Sequence, residues 1–279
     1  LFGPFGCTFP MFIVIPSFSL VAWGVVFSIC IWILKRSADR PKDDVRSGLF
    51  VALAEWAAGR VTTLNMQTAR GWKPNLLVPV SQPTELRGAF RLLHQLVQPE
   101  GSIKLLGMAT QESVKDVLPR IEKLGQDFRA KNVFTTWSVI DASAYTEGIV
   151  TSLQALRSAF FRPNLLVLTL GNDVARDLEL MTVLKEAQRL GVGVGLLGMH
   201  AQAGTGRENV INLWVRPPPN GAPVETALQL GNMNLGILLA YRLARAGRAQ
   251  RNIIAVVSSG AEQRAAERYI AQLRALTRM

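Results

Sequence analysis

Few residues of this chain have the type and spacing that chemistry requires. His94 and His200 are the only histidines. His94 lies among leucines in a helical pattern, as a histidine at the edge of a core does, and His200 follows Gly198-Met199 at the end of an apolar run. Parallel sheets bind ligands at strand ends, but no serine or cysteine nucleophile is identifiable near His200 and no second ligand has metal spacing. We therefore predict no catalytic residues and no metal site.

Two short segments could bind a phosphate group. Ser258-Ser259-Gly260 stands between an apolar run and a helical pattern, where free backbone amides and the helix dipole attract anions. Gly204-Thr205-Gly206 is a second candidate loop. Helix capping by Ser259 is the simpler interpretation of the first. The chain has no G-x-x-x-x-G-K-[ST] and no strand-linked G-x-G-x-x-G, so nucleotide binding is the alternative hypothesis and no cofactor is predicted.

Arginines are concentrated in the last forty residues of a chain whose formal net charge is +11. They are Arg242, Arg245, Arg248, Arg251, Arg264, Arg268, Arg274 and Arg278. A solvated helix face explains them most simply, and Arg264 and Arg268 share one face by their spacing. The functional alternative is contact with anionic lipid headgroups or acidic protein segments. Aromatic residues are not interleaved with these arginines, so nucleic acid is not a predicted partner.

Apolar runs alternate with segments of helical period from residue 76 onward. We expect strands at 76–80, 103–108, 133–140, 165–170, 192–199, 210–215 and 253–257. The segments of helical period lie at 81–98, 112–131, 146–160, 173–190, 232–246 and 262–276. Because the strands are apolar without alternation, they predict an α/β fold with parallel sheets covered by helices.

A sequence repeat runs through this pattern. Trp72-Lys73-Pro74-Asn75-Leu76-Leu77-Val78 returns 89 positions later as Phe161-Arg162-Pro163-Asn164-Leu165-Leu166-Val167. The Leu-Leu-Gly-Met at 105–108 returns at 196–199, and Asn132-Val133 with Trp137 returns as Asn209-Val210 with Trp214. Three landmarks in one order indicate duplication of an α/β unit. The repeat predicts two tandem lobes, packed face to face.

The first 34 residues carry no Asp, Glu, Lys or Arg, and Lys35-Arg36 follow them. Positive charge beside an apolar segment marks its cytoplasmic end, so the chain after about residue 36 is expected on the cytoplasmic side of the cell membrane. We predict the end of one membrane helix, a turn at Pro16-Ser17-Phe18-Ser19 and a second short helix. A signal peptide fits less well because a basic start is missing. Helical spacing over 43–65 predicts a juxtamembrane helix.

With these residues the chain resembles the carboxy-terminal regulatory domain of cation-chloride cotransporters, the Na-K-Cl and K-Cl branch of the amino acid-polyamine-organocation transporters. The resemblance rests on Lys73-Pro74-Asn75-Leu76-Leu77-Val78, on Arg162-Pro163-Asn164-Leu165-Leu166-Val167-Leu168, and on Asn209-Val210-Ile211-Asn212-Leu213-Trp214-Val215 with the helix behind it. It implies two lobes similar to universal stress proteins that dimerise and regulate, assemble or traffic a transporter. A long Ser/Thr-rich insertion is missing, which points to a prokaryotic member.

The resulting hypothesis is a non-enzymatic, cytosolic regulatory and dimerisation domain of a cation-chloride cotransporter. Its expected partners are a second copy, its own transmembrane transport domain and an anionic lipid surface. The alternative is a nucleotide-sensing module of universal-stress type that regulates a membrane transporter. The predicted division is 1–36 for the end of the transmembrane domain, 37–71 for a juxtamembrane helix and linker, 72–161 for the first lobe and 162–279 for the second.

Overall fold

The structure, a computed structural model, describes residues 16–36, 53, 56, 72–110, 112–159, 161–170, 174–200, 202–206, 209–217, 233–247 and 249–277. The chain divides into two compact units, Leu1–Ala69 and Arg70–Met279.

The first unit contains helix α1 (Pro16–Arg36). The turn expected at 16–19 is wrong, because these residues form the first helical turn and proline is well suited to the first helical position. Among the described residues, no helix combines the length and apolar character needed to cross a membrane. The structure thus does not confirm the predicted membrane segment. The predicted 43–65 helix lies outside the described residues except for Leu53 and Trp56, which are helical and exposed.

The second unit is built on a five-stranded parallel sheet of order β3-β2-β1-β4-β5. Its strands are β1 (Asn75–Val80), β2 (Ser102–Ala109), β3 (Phe134–Asp141), β4 (Leu165–Thr169) and β5 (Gly193–Leu197). The intervening helices are α2 (Phe90–Val97), α3 (Val114–Ala130), α4 (Tyr145–Ala155) and α5 (Val174–Arg189), with 3-10 helices at Pro83–Leu86 and Leu156–Ser158. The predicted parallel α/β fold is confirmed.

Both faces of this sheet are buried at its three central strands, β2, β1 and β4. On one face Leu76, Val78 and Val80 of β1 pack with side chains from α2 and α3. On the other face Leu77 packs with Leu166 of β4 and with side chains from α4 and α5. Successive strand residues point to opposite faces, so burial of both faces requires the unbroken apolar runs seen in the sequence.

A second sheet holds the parallel strands β6 (Val210–Val215) and β7 (Gln250–Ala255). Helix α6 (Met233–Gly247) connects them and α7 (Gly260–Thr277) follows β7. Val215, Ile237, Tyr269 and Leu273 form the buried core of this part. Trp214 belongs to the same strand as Val215, yet 63% of its surface is exposed.

The first two strands of both copies of the sequence repeat share the large sheet, whereas the third landmark, on β3 in the first copy, lies on β6 of the other sheet in the second. Their opening strands, β1 and β4, are neighbours, and their Leu-Leu-Gly-Met segments continue on β2 and on β5 with the loop after it. Each copy thus places its second strand outside its first. The expected boundary at 161/162 therefore falls between strands of one sheet, and a separate sheet begins only at β6.

The repeated asparagines bind each other where β1 and β4 begin. Asn164 Oδ1 accepts from the Asn75 amide at 2.9 Å, and Asn164 Nδ2 donates to the Lys73 carbonyl at 2.6 Å. The Asn164 amide donates to the Asn75 carbonyl at 3.0 Å. In turn, Asn75 Oδ1 accepts from Ser102 Oγ of β2 at 2.8 Å. We call this arrangement the asparagine clasp; it fixes the starts of three adjacent strands.

We expect Asn164→Ala to lower the free energy of unfolding by about 1–2 kcal/mol, because it leaves an amide and a carbonyl without their partners at a partly buried site. Denaturant unfolding followed by tryptophan fluorescence measures this. Asn252→Ala, on β7, is the matched control, since it removes only the hydrogen bonds to the exposed side chains of Asn212 and Gln250. An Asn164→Ala protein no less stable than the control would contradict the role of the clasp.

Candidate functional site

The loop that carries Gly204 is closed by its own hydrogen bonds. His200 and Gly204 exchange two backbone bonds, at 3.2 and 2.9 Å. His200 Nδ1 accepts from the amides of Gln202 and Ala203 at 3.3 and 3.2 Å. The Gly206 amide donates to the Ala203 carbonyl at 3.0 Å. These five amides therefore donate within the loop and are not directed outward as a phosphate site requires.

Close packing explains why glycines stand here. Gly204 and Gly206 have φ values of +57° and +74°, which side chains rarely adopt. A Cβ atom on Gly204 would lie 2.8 Å from the Cα of Gly88. Thr205 Oγ1 donates to the Gly88 carbonyl at 3.2 Å. The Gly204-Thr205-Gly206 segment thus fastens the loop after β5 to the loop after β1.

The second candidate segment, Ser258-Ser259-Gly260, caps helix α7. Ser259 Oγ accepts from the Glu262 amide at 3.3 Å, while Glu262 Oε2 accepts from the Ser258 amide at 2.8 Å. The carboxylate of Glu262 therefore occupies the position where an anionic ligand would meet the helix. The Ser258 amide, by hydrogen bonding to that carboxylate, lowers the pKa of Glu262.

The two candidate segments belong to different parts of the fold. Gly204 follows β5 of the five-stranded sheet, and Ser258 follows β7 of the two-stranded sheet. The chain thus offers two separate loops, each with its polar groups engaged locally.

The position of His94 agrees with its interpretation from the sequence as a histidine at the edge of a core. His94 lies near the end of α2, with Nε2 at 3.2 Å from the Lys131 carbonyl. His200 serves the loop described above. Among the described residues, no three His, Cys, Asp or Glu side chains are grouped so that they could hold a metal ion.

The arginine cluster contains one residue whose position the sequence analysis missed. Arg245, Arg251, Arg264, Arg268 and Arg274 are exposed, as a solvated face predicts. Arg242 is partly buried and donates to the carbonyls of Gln98 at 3.0 Å and Trp72 at 2.7 Å. The sequence could have indicated this burial, because Leu235, Leu239 and Arg242 are spaced i, i+4 and i+7 and therefore lie on one face of α6. Arg248 and Arg278 lie outside the described residues.

Two family models match the chain in succession. Residues 78–205 match the first part, and residues 206–279 the second part, of the C-terminal domain of prokaryotic cation-chloride cotransporters. The crystal structure of the cytoplasmic domain of a prokaryotic cation chloride cotransporter is 36% identical, with a TM-score of 0.64, over 75% of this chain and 76% of that one. The chain belongs to this family. The resemblance drawn from its repeated motifs is thereby confirmed.

Two further solved structures show a lower similarity, and no curated protein matches the sequence. A structure titled AtPrR2 with NADP+ and (+)pinoresinol is 10% identical, over 66% of this chain and 80% of that one, with a TM-score of 0.33. The hexameric APS kinase from Thiobacillus denitrificans is 12% identical, over 74% and 58%, with a TM-score of 0.30. Neither bears on the function of the cotransporter domain. The two family models meet at 205/206, between the two sheets.

The capping of α7 predicts a pH-dependent stability. Because the pKa of Glu262 is lower in the folded domain than in the unfolded chain, its carboxylate stabilises the fold above the unfolded value of about 4.3, and this contribution is lost as the pH falls through the folded value. We expect Glu262→Gln to be less stable than the natural protein at pH 7, with the difference shrinking below about pH 4.

Thermal unfolding between pH 3 and 7 measures this difference. Glu267→Gln is the control, since it removes the same charge from a later turn of α7. Ser259→Ala should cost about 1 kcal/mol as the loss of a helix cap. If Glu262→Gln and Glu267→Gln gave the same pH profile, the proposed role of Glu262 would be wrong.

Proposed function

We propose that this domain is a non-catalytic regulatory and dimerisation domain of a prokaryotic cation-chloride cotransporter, placed on the cytoplasmic side of the membrane. Membership of the family supports a transporter context. Both candidate ligand loops use their polar groups to hold the fold together, which favours an interaction domain over an enzyme. The large sheet ends in β3 on one side and β5 on the other, and the surface that would serve dimerisation is the longer of these two edges.

Strand β3 forms that edge. It pairs with β2 on one side, and among the described residues no strand pairs with its other side. It has eight residues, lacks proline and has its single charged residue, Asp141, at its end. Long edges that carry so little charge readily pair with another chain through their backbone N–H and C=O groups. One carbonyl of β3, that of Thr135, already accepts from Arg129 Nε at 2.9 Å, so a partner strand would use the other groups of the edge.

Two exposed phenylalanines lie beside the start of this strand. Phe134 is 53% and Phe161 is 44% exposed, and their ring centroids are 5.0 Å apart. Exposed aromatic side chains are common anchors of protein interfaces. A two-fold pairing of β3 edges would bury both pairs of rings and continue the sheet across the dimer, as an isologous contact requires.

We expect a fragment comprising 43–279 to be a dimer in solution and Phe134→Lys to be monomeric, because a charge at the edge opposes strand pairing. Light scattering over a range of concentrations measures the mass. Val256→Lys is the matched control: Val256 is 76% exposed but lies after β7, so this variant should remain dimeric. A strictly monomeric natural fragment at high concentration would refute dimerisation, and a dimeric Phe134→Lys variant would move the interface elsewhere.

The connection to the membrane is the second part of the proposal. The transmembrane transport domain would lie before the α/β domain, with the boundary near residue 36, where Lys35-Arg36 follow the uncharged head. The 43–65 segment would relay conformational change between the two. Exposed arginines on α7, such as Arg264 and Arg268, could face anionic lipid headgroups or acidic loops of the transport domain, at about 1 kcal/mol for each charge near an anionic membrane.

One observation favours a second candidate function, the sensing of a nucleotide. The strand order reverses between β1 and β4, and open α/β sheets bind ligands outside the carboxyl ends of the strands at such a point. The loop with Gly204 lies at the carboxyl end of β5, at the same end of the sheet. The likeness to universal stress proteins and the candidate residues Ser258, Ser259 and Gly204 belong to this alternative.

The leading proposal predicts that millimolar ATP, ADP or cyclic dinucleotides leave the melting temperature of the 43–279 fragment unchanged. A ligand at one hundred times its dissociation constant would stabilise the fold by about 2.7 kcal/mol and raise the melting temperature by several degrees. Isothermal titration is the independent measurement. Saturable binding that is abolished by Gly204→Ala and retained in Asn252→Ala would favour the sensor instead.

A further inference from the structure

Arg242 joins parts of the domain that are distant in sequence. Its guanidinium donates to the carbonyl of Trp72 at 2.7 Å and to that of Gln98 at 3.0 Å. Trp72 is where the described α/β unit begins, directly before Lys73 and β1. Gln98 caps the carboxyl end of α2. One side chain of α6 thus holds both the start of the unit and the end of its first α-helix.

Helix α6 is packed on both sides. Leu235 and Leu239 pack against the core of the five-stranded sheet, and Ile237 belongs to the core of the two-stranded sheet. The fit is close, because a Cβ atom on Gly193 of β5 would lie 2.9 Å from Leu235 Cδ2. Any displacement of α6 with the second sheet therefore acts on Arg242 and, through it, on its two carbonyl partners.

The contact suits arginine in particular. The carboxyl end of a helix carries partial negative charge and unpaired carbonyls, which a cation stabilises. The planar guanidinium offers several donors in a fixed geometry and can bind two carbonyls at once, whereas the lysine ammonium is a single point charge on a flexible stem. The stem of Arg242 also extends the apolar stripe formed by Leu235 and Leu239.

We propose that Arg242 is a positioning residue that couples the second sheet to the point where the chain enters the α/β unit at Trp72. Through this contact, a shift of the second sheet changes how firmly residues 72–76 are held. The use of this coupling to signal along the chain toward the membrane rests on the proposed regulatory function. The coupling itself does not depend on it.

Hydrogen exchange measured by mass spectrometry on the 279-residue protein tests the contact. In Arg242→Met, which keeps the length and helix propensity of the side chain, we expect amides in peptides spanning 72–78 and 98–103 to exchange about tenfold faster. Peptides from α3, α4 and α5 should keep their rates. Arg245→Met, an exposed position one turn later, is the matched control and should leave every peptide unchanged.

A second substitution tests whether Arg242 transmits a change in the second sheet to residues 72–78 or only stabilises those residues locally. Leu273→Ala loosens the core of the second sheet, in which Leu273 is fully buried. It should speed exchange at 72–78 when Arg242 is present and add nothing there in the Arg242→Met background. Where Arg242→Met does not fold, Arg242→Lys replaces it, with a smaller increase expected because one ammonium replaces the two-pronged contact.

Three results would overturn the proposal. The first is unchanged exchange at 72–78 in the Arg242 variant, and the second is faster exchange throughout the large sheet, which would make Arg242 a general stabiliser. The third is an effect of Leu273→Ala at 72–78 that is the same with and without Arg242. None of these readouts depends on dimerisation, which light scattering measures separately, so failure of the coupling and failure of the proposed function can be told apart.

Discussion

The contact on which the large sheet depends is the asparagine clasp between β1 and β4. Strands of a parallel sheet come from distant parts of the chain, so their register cannot be set by a tight turn. Here an asparagine directly follows a proline at the start of each opening strand. The Asn164 side chain hydrogen bonds to the Asn75 amide and to the Lys73 carbonyl, as the backbone of a neighbouring strand would do. Because proline has no N–H group, the polar bonds at this end must come from its neighbours. The repeated Pro-Asn pair thus explains why the two copies meet in the middle of one sheet.

The two asparagines are not equivalent, although their sequence surroundings match. Both side-chain amides donate to the backbone of the other copy, Asn164 Nδ2 to Lys73 and Asn75 Nδ2 to Arg162. The side-chain oxygens differ, because Asn164 Oδ1 accepts from the Asn75 amide and Asn75 Oδ1 accepts from Ser102 of β2. The difference follows from the neighbouring strands. Ser102 of β2 is in register with Asn75 and donates from its side chain, whereas Gly193 of β5 is in register with Leu165 and donates its backbone amide to the main-chain carbonyl of Asn164. A duplicated motif has therefore been used in two ways that complement each other.

Much of this fold could be predicted from the sequence, because apolar runs without alternation identify strands buried on both faces. The limits of β1 and β6 agree with prediction almost to the residue, but only β1 is buried on both faces, since alternate residues of β6 are exposed. The helix predicted over 81–98 is instead a 3-10 turn followed by α2, since Gly88 between them packs against Gly204, more than a hundred residues away. Composition likewise could not show that the first two strands of both copies form one sheet while the third strand of the second copy, β6, belongs to another. Strand order depends on which helices cover which face, and a short motif carries no such information.

The two candidate loops show that residue types alone do not predict a functional site either. A glycine pair separated by threonine, and two serines before a helix, are residue types that phosphate sites use, yet the same types satisfy ordinary backbone demands. The two uses differ in the acceptor to which each backbone amide donates. In one loop the His200 side chain accepts hydrogen bonds from two amides, and in the other the Glu262 carboxylate accepts from the Ser258 amide. Arg242 is the opposite case, since a residue expected to be solvated is placed by its helical register on the inner face of α6. In all three places the polar side chain binds backbone groups and so holds distant or adjacent segments of the fold in position.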